Sequence, residues 1–177
     1  MTTVLVAFAT KDGSTREVAE VIANRLRETG ADVVVEPARA CRDSVAERDL
    51  VVLGAPLYSG RWHRDAHWFL RRHRRELHDV PFAIFGLGPR NSTDDAWERS
   101  RAALDRAIAK HAWLGPDLVS VFGGVDPPKR ATKPRRDLRD WSVIDAWATR
   151  AGDLVTSDAP LSERRGRTGD PPSTTRD

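Results

Sequence analysis

Three short stretches hold the residue types that could carry chemistry together. The first, Thr10-Lys11-Asp12-Gly13-Ser14-Thr15, combines three hydroxyls with a glycine. Placed between a strand and the start of a helix, it would direct unpaired backbone N–H groups, the positive end of the helix dipole and the hydroxyls of Thr10, Ser14 and Thr15 at one anion. Three hydroxyls, converging on one anion without requiring a bulky cation, suit a monophosphate. The spacings Gly-x4-Gly-Lys-Ser/Thr and Gly-x-Gly-x-x-Gly do not occur, which argues against a nucleoside triphosphate and a dinucleotide. The simpler alternative is that Ser14 and Thr15 only cap the helix.

The second stretch, Gly54-Ala55-Pro56-Leu57-Tyr58-Ser59-Gly60-Arg61-Trp62, offers flat and apolar groups, with the chain's single tyrosine at Tyr58. Such groups suit stacking against a planar heteroaromatic ring, although Trp62 reads better as a packing residue. The third, Gly86-Leu87-Gly88-Pro89-Arg90-Asn91, has glycines that let backbone amides approach a ring edge. No acid, base or nucleophile in these stretches stands out as catalytic.

The elements that must position these loops follow from periodicity. Val4-Leu5-Val6-Ala7-Phe8 is an apolar run of the length of a strand covered on both faces. Ser14-x-x-Glu17 reads as a capping box for a helix carrying Val18, Val21, Ile22 and Leu26 and stopping at Gly30. A second strand over Val33–Val35 and a third over Leu50–Leu53, closed by Gly54 and Pro56, come next. Asp65 is the expected cap of a helix with Phe69 and Leu70, and Pro81 opens a fourth strand, Phe82 to Leu87. A helix through Trp97, Leu104 and Ile108 leads to a fifth strand, Leu118 to Phe122. A last helical stripe runs from Trp141 to Val155.

Alternating strands and helices predict an α/β fold with a parallel sheet and helices on both faces. Five strands suit the order 2-1-3-4-5, in which the winding reverses between strands one and three and leaves a crevice at their carboxyl ends. The loops at 10–15 and 55–60 meet there. A phosphoacceptor receiver shares this topology but needs an acidic pair after strand one and an aspartate ending strand three. Asp12 stands alone, and strand three runs into Gly54-Ala55.

At 177 residues the chain suits one domain, expected over residues 1–156. Residues 157–177, rich in Ser, Thr, Gly, Pro and Arg, read as a disordered basic tail. No apolar run approaches a membrane span and no secretory signal opens the chain, so a cytoplasmic protein, at most peripheral to a membrane, is expected. The lone Cys41 excludes an internal disulfide. Basic runs at Arg71–Arg75, Lys129–Arg139 and Arg164–Arg167 suggest an acidic protein partner or an anionic membrane surface. No aromatic interleaving supports nucleic acid. His63 and His67 stand four apart without a third ligand, so they read as packing histidines and no metal site is expected. Trp97, Trp141 and Trp147 lie on apolar stripes and are expected in the core.

The segments Ala9–Glu17, Gly54–Gly60 running into His63, and Phe122-Gly123-Gly124 together resemble the flavodoxin superfamily, and within it the flavodoxin-domain family of menaquinone-dependent protoporphyrinogen oxidase. The likeness spans roughly residues 3 to 155. It implies a flavodoxin-like fold binding FMN, with the phosphate on Thr10, Lys11, Asp12, Gly13, Ser14 and Thr15. It implies that the isoalloxazine ring lies between Pro56, Leu57, Tyr58, Ser59 and Gly60 on one side and Leu87, Gly88, Pro89, Arg90 and Asn91 on the other. It also implies an oxidoreductase that exchanges electrons with a quinone-like or porphyrinogen-like partner. After Gly123-Gly124 the oxidase carries a longer apolar and basic insertion that meets quinone and membrane. Here the short stretch Asp126–Arg139 stands instead, which counts against protoporphyrinogen itself. The alternatives are a non-catalytic electron carrier and a flavin-free module working through its basic surface. A cation in Lys129–Arg139 about 10 Å from a flavin would favour its reduced anion by about 1.7 kcal/mol at an effective dielectric near 20, so a raised potential is expected.

Overall fold

A computed structural model describes residues 1–128 and 134–156. The tail expected to be disordered, and Lys129, Arg130 and Lys133 of the basic stretch, lie outside the described residues. The strands are β1 (Thr3–Phe8), β2 (Asp32–Pro37), β3 (Leu50–Tyr58), β4 (Arg61–Trp62), β5 (Phe82–Leu87) and β6 (Leu118–Phe122). The helices are α1 (Ser14–Glu28), α2 (Arg64–Arg72), α3 (Asp94–Ala109) and α4 (Trp141–Thr156). The parallel strands lie in the order β2-β1-β3-β5-β6, with the short β4 paired antiparallel to β3. This is the expected five-stranded flavodoxin-like sheet with one added hairpin arm.

The period of two along β1 divides the core. Val4, Val6 and Phe8 join Val18, Ile22 and Leu26 of α1 and Ile144, Trp147 and Ala148 of α4 in one cluster. Leu5 and Ala7 join Phe69 and Leu70 of α2 and Leu104 and Ala107 of α3 in the other. Both faces of the sheet are therefore covered, which is why its strands read as continuous apolar runs. Cys41 is buried, its thiol donating to the Pro37 carbonyl at 3.4 Å, and burial followed by the nearby Glu36 pushes its pKa up to about 12.

Four expectations need correction. β3 does not stop at Gly54 but continues through Pro56 to Tyr58, because β1 ends at Phe8 and leaves that edge without a parallel neighbour. A proline there costs no ladder bond, while the Pro56 carbonyl accepts from His63 N at 3.1 Å. Ser59 (φ 49) and Gly60 (φ 72) then turn the chain back into β4, the positive-φ pair of a two-residue hairpin. Ser14 is not a cap and Ser14–Glu17 is not a capping box. Gly13, at φ 93, occupies the N-cap without a side-chain hydrogen bond, and Glu17 reaches elsewhere. Asp65 does not cap α2. His63 does, its Nδ1 accepting from Asp65 N at 3.2 Å. Of the three tryptophans, Trp147 is buried and Trp97 half-buried, but Trp141 is 40% exposed and its ring lies 4.7 Å from the Arg139 guanidinium.

Gly54 pairs with Phe85 across the β3–β5 ladder, and a Cβ on Gly54 would stand 1.9 Å from the Phe85 ring. Gly54→Ala is therefore expected to lower unfolding free energy by about 1–3 kcal/mol or more, the usual cost of overpacking a closed core. Denaturant unfolding of the two proteins measures this.

Candidate functional site

The crevice at the carboxyl ends of β1 and β3 gathers the predicted stretches. In the first, the Thr10 hydroxyl accepts from Gly13 N at 2.9 Å, which folds the loop back and leaves its own O–H proton to donate. Gly13 then enters α1 in the left-handed region, in open space. With no side chain capping the helix, the first-turn N–H groups have no capping partner among the described residues. Thr15 is fully buried and its Oγ1 has no hydrogen-bond partner among the described residues. Lys11 and Asp12 are exposed, while Gly13 and Ser14 are half-buried.

The second stretch meets the first directly. Lys11 Nζ stands 5.9 Å from the centre of the Tyr58 ring. Tyr58 is half-buried, and its phenol pKa is raised by burial and by Asp12, with Arg90 opposing. Trp62 is buried, its indole N–H donating to the Ala55 carbonyl at 3.1 Å, so it braces the hairpin as a packing residue. In the third stretch, Leu87, Gly88 and Pro89 are buried while Arg90 and Asn91 are exposed. Of that stretch's two glycines, Gly88 does not leave its amide free to face a ring edge, and the loop after β6 also ties to the stretch. Gly88 N donates to Phe122 O at 2.8 Å, and Gly124 N donates to Pro89 O at 2.7 Å.

Two cavities adjoin here. A narrow cleft of about 40 Å³ brings together Ser14, Tyr58, Gly88, Arg90 and Gly124. Beside it, and sharing Leu57, Pro89 and Arg90, lies a cavity of about 690 Å³ that also takes in Arg99, Arg106 and Arg136. Its α3 side was not foreseen. Thr93 accepts from Ala96 N and so caps α3 soon after the third stretch, which brings Ala96, Arg99 and Ser100 to the crevice. A Thr-Asp-Asp run before Ala96 was the available signal.

The basic stretch also differs from expectation. Val125 pairs with Asp137 across an antiparallel bridge, flanked by Asp126 N to Arg136 O at 2.9 Å and Leu138 N to Gly124 O at 2.9 Å. The returning arm crosses the first turn of α1. Arg139, with a side chain only 8% exposed, donates to Glu17 Oε2 at 2.6 Å, to Asp137 Oδ2 at 2.6 Å and to Asp137 Oδ1 at 2.9 Å. Arg136 Nε donates to the buried Asp126 carboxylate at 3.1 Å. Hydrogen bonds from these arginines hold the Asp137 and Asp126 carboxyls below the usual range. The positive charge expected from Lys129–Arg139 is thus offset at Arg136 and Arg139, and with it part of the upward pull on a flavin potential.

With this geometry in place, the family model described as "Flavodoxin domain" matches residues 5–138. The chain belongs to the flavodoxin domain family. It is 32% identical over 121 residues to protoporphyrinogen IX dehydrogenase [quinone] of Escherichia coli K12, a match covering 68% of this chain and 67% of that protein. Among solved structures, an archaeal flavodoxin superposes with TM-score 0.60 at 14% identity, covering 88% of this chain and 99% of that one. Flavodoxin 1 of Bacillus cereus gives 0.55 at 18% identity, covering 89% and 100%. These two likenesses speak to the fold alone. Family membership implies a flavin and a flavodoxin-type oxidoreductase. Among the described residues no helix of this flavodoxin domain is long and apolar enough to cross a membrane, and no group of three potential ligands that could hold a metal is found.

The arm across α1 sets a pH dependence. A carboxyl whose folded pKa lies below its unfolded value stabilises the fold above the unfolded pKa, near 4, and loses that contribution as pH falls through the folded one. Stability should therefore fall below about pH 4. Arg139→Ala should lower unfolding free energy at pH 7 by about 1–3 kcal/mol, on the scale of a hydrogen bond to a charged group, and return Asp137 to ordinary titration. Unfolding free energy measured against pH for parent and variant checks both.

Proposed function

We propose that this flavodoxin domain is an FMN-dependent oxidoreductase, with the FMN phosphate held by Thr10–Thr15 and the ring by Pro56–Gly60 and Leu87–Asn91. The observation that carries the reading is the uncapped first turn of α1, entered through Gly13 and flanked by the Thr10, Ser14 and Thr15 hydroxyls. Amides without a capping partner at a helix N-terminus favour an anion, and the orphaned Thr15 hydroxyl is a donor that a phosphate oxygen would satisfy. The residues present fit the group. When bound, the flavin would supply electron or hydride transfer.

The chain's own residues bind, orient and shield. Tyr58 and Leu57 offer apolar surface to the ring, and Arg139 fixes the arm beside α1 through Glu17 and Asp137. The buried Leu87 and Pro89 limit access of water from beneath. No side chain at the site is assigned as an acid or base. The 690 Å³ cavity, lined by Arg90 and Arg106, by Arg99 paired with Asp95 and by Arg136 paired with Asp126, keeps a positive balance that suits an acceptor or donor that is itself anionic. A carboxylate-bearing porphyrinogen-like partner fits that lining, and a quinone-like one, which is neutral, fits the activity named for the Escherichia coli relative. The protein would act in the cytoplasm or against an anionic membrane face.

The second reading, an electron carrier or a flavin-free module, is favoured by the concentration of arginine around the same cavity. A fluorescence titration of apoprotein with FMN decides. Tight quenching by the parent should weaken at least about 100-fold in the Thr10→Ala, Ser14→Ala double variant, since each hydrogen bond to a charged group contributes about 1.5–3 kcal/mol. Unquenched FMN fluorescence with the parent would reject the cofactor assignment.

A further inference from the structure

A second cavity of about 690 Å³ lies between α2 and the segment after α3, lined by Arg64, His67, Arg71, Arg74, Lys110 and His111. At its wall His67 Nδ1 and His111 Nε2 stand 2.9 Å apart, with the ring planes inclined at 25° and their centres separated by 5.2 Å. Trp62 meets His67 edge-on and Trp113 meets His111 edge-on, so both imidazoles are fixed in place. Arg74 lies 5.8 Å from the Trp113 ring centre. Of the four cations, only Arg64 has a carboxylate within 4.0 Å, that of Asp65 at 3.8 Å, among the described residues. An adjoining cavity adds Arg61 and Arg106 and shares Arg64, His67 and Lys110.

We propose that this cavity is a binding site for a tetrahedral dianion, a phosphate group carried by a small molecule or by a lipid headgroup. It does not depend on the FMN assignment. Guanidinium forks match phosphate oxygens, and Lys110 adds a point charge. Arg71, Arg74 and Lys110, brought together around one hollow with no carboxylate within 4.0 Å among the described residues, repel one another, and a dianion would relieve that repulsion.

The histidine pair gives the site a signature. A hydrogen bond between the two ring nitrogens requires one of them to be unprotonated, so the pair carries at most one proton more than its neutral form. Burial, then His111, Lys110 and Arg71, lower the His67 pKa to about 4, and burial, Arg71 and Lys110 lower that of His111. A dianion opposes the field of those cations. Its binding raises the imidazole pKa values, takes up a proton and therefore strengthens as pH falls toward 6.

Sulfate is the suitable probe because it stays dianionic over this range, whereas phosphate does not. Calorimetric titration of the full chain with sulfate at fixed ionic strength should give at least threefold tighter binding at pH 6 than at pH 8, with proton uptake seen as a dependence on buffer ionisation heat. Arg71→Ala, Lys110→Ala should weaken sulfate at least tenfold while leaving FMN affinity unchanged, and His67→Phe should keep binding but flatten its pH dependence. Displacement of sulfate by glycerol 1-phosphate assigns a soluble phosphomonoester. Displacement by phosphatidic acid vesicles alone, whose headgroup is a phosphomonoester, assigns a lipid headgroup, and displacement by neither overturns the proposal. So would pH-independent sulfate binding by the parent, equal binding by the double variant, or no parent binding in the millimolar range.

Discussion

Because β1 pairs in parallel with β2 on one edge and β3 on the other, the helices that follow β1 and β3 must leave on opposite faces of the sheet. Neither helix can then cover the carboxyl ends of the two strands, and a crevice opens above them. The rest of the candidate site depends on that opening. The loop after β1 has to deliver the chain into α1 without a side-chain cap, which leaves the helix amides presented to the crevice. Extension of β3 past the end of β1 carries Tyr58 up beside Lys11. The turn at Ser59 and Gly60 exists because the extended strand must fold back onto itself as β4.

Among the described residues, the other side of the crevice is closed by Val125 and Asp126 with the returning arm at residues 135–139 rather than by a helix. That arm can lie so close only because Gly123 has no side chain, since a Cβ there would stand 1.9 Å from the Leu138 carbonyl oxygen. Arg139 then joins the arm to the first turn of α1 through Glu17, so a residue that reads as surface charge becomes a nearly buried bridge between two carboxylates. The basic character of the region is therefore not uniform. Arg136 and Arg139 are spent on internal ion pairs, whereas Arg71, Arg74 and Lys110 beside His67 and His111 have no carboxylate within 4.0 Å among the described residues.

Much of this was legible in sequence because it rests on local chemistry. The apolar runs of β1, β3, β5 and β6, and the hydroxyl-glycine loop, signal the sheet order and the place of the crevice without any long-range contact. What stayed hidden depends on such contacts. Ser14-x-x-Glu17 matches a capping box, but Glu17 finds a partner 122 residues away in Arg139, and the capping pattern gives way to that ion pair. Pro56 looks like the end of a strand, and only the early end of β1 makes it harmless within one. Trp141 follows the apolar stripe of α4, yet stands in the first turn beyond the reach of the core and covers Arg139 instead. His67 and His111 are 44 residues apart, and no spacing rule would join them.

The most direct test of the FMN site above β1 and β3 is an amide NMR titration of the isotopically labelled chain with FMN. At stoichiometric FMN the N–H signals of Thr10 to Thr15 should move first and most, together with those of Tyr58 to Gly60 and Arg90 to Asn91, while His67 and Lys110 stay in place. Shifts confined to the His67–His111 cavity, or spread over the arginine surface with the α1 loop unmoved, would contradict that site.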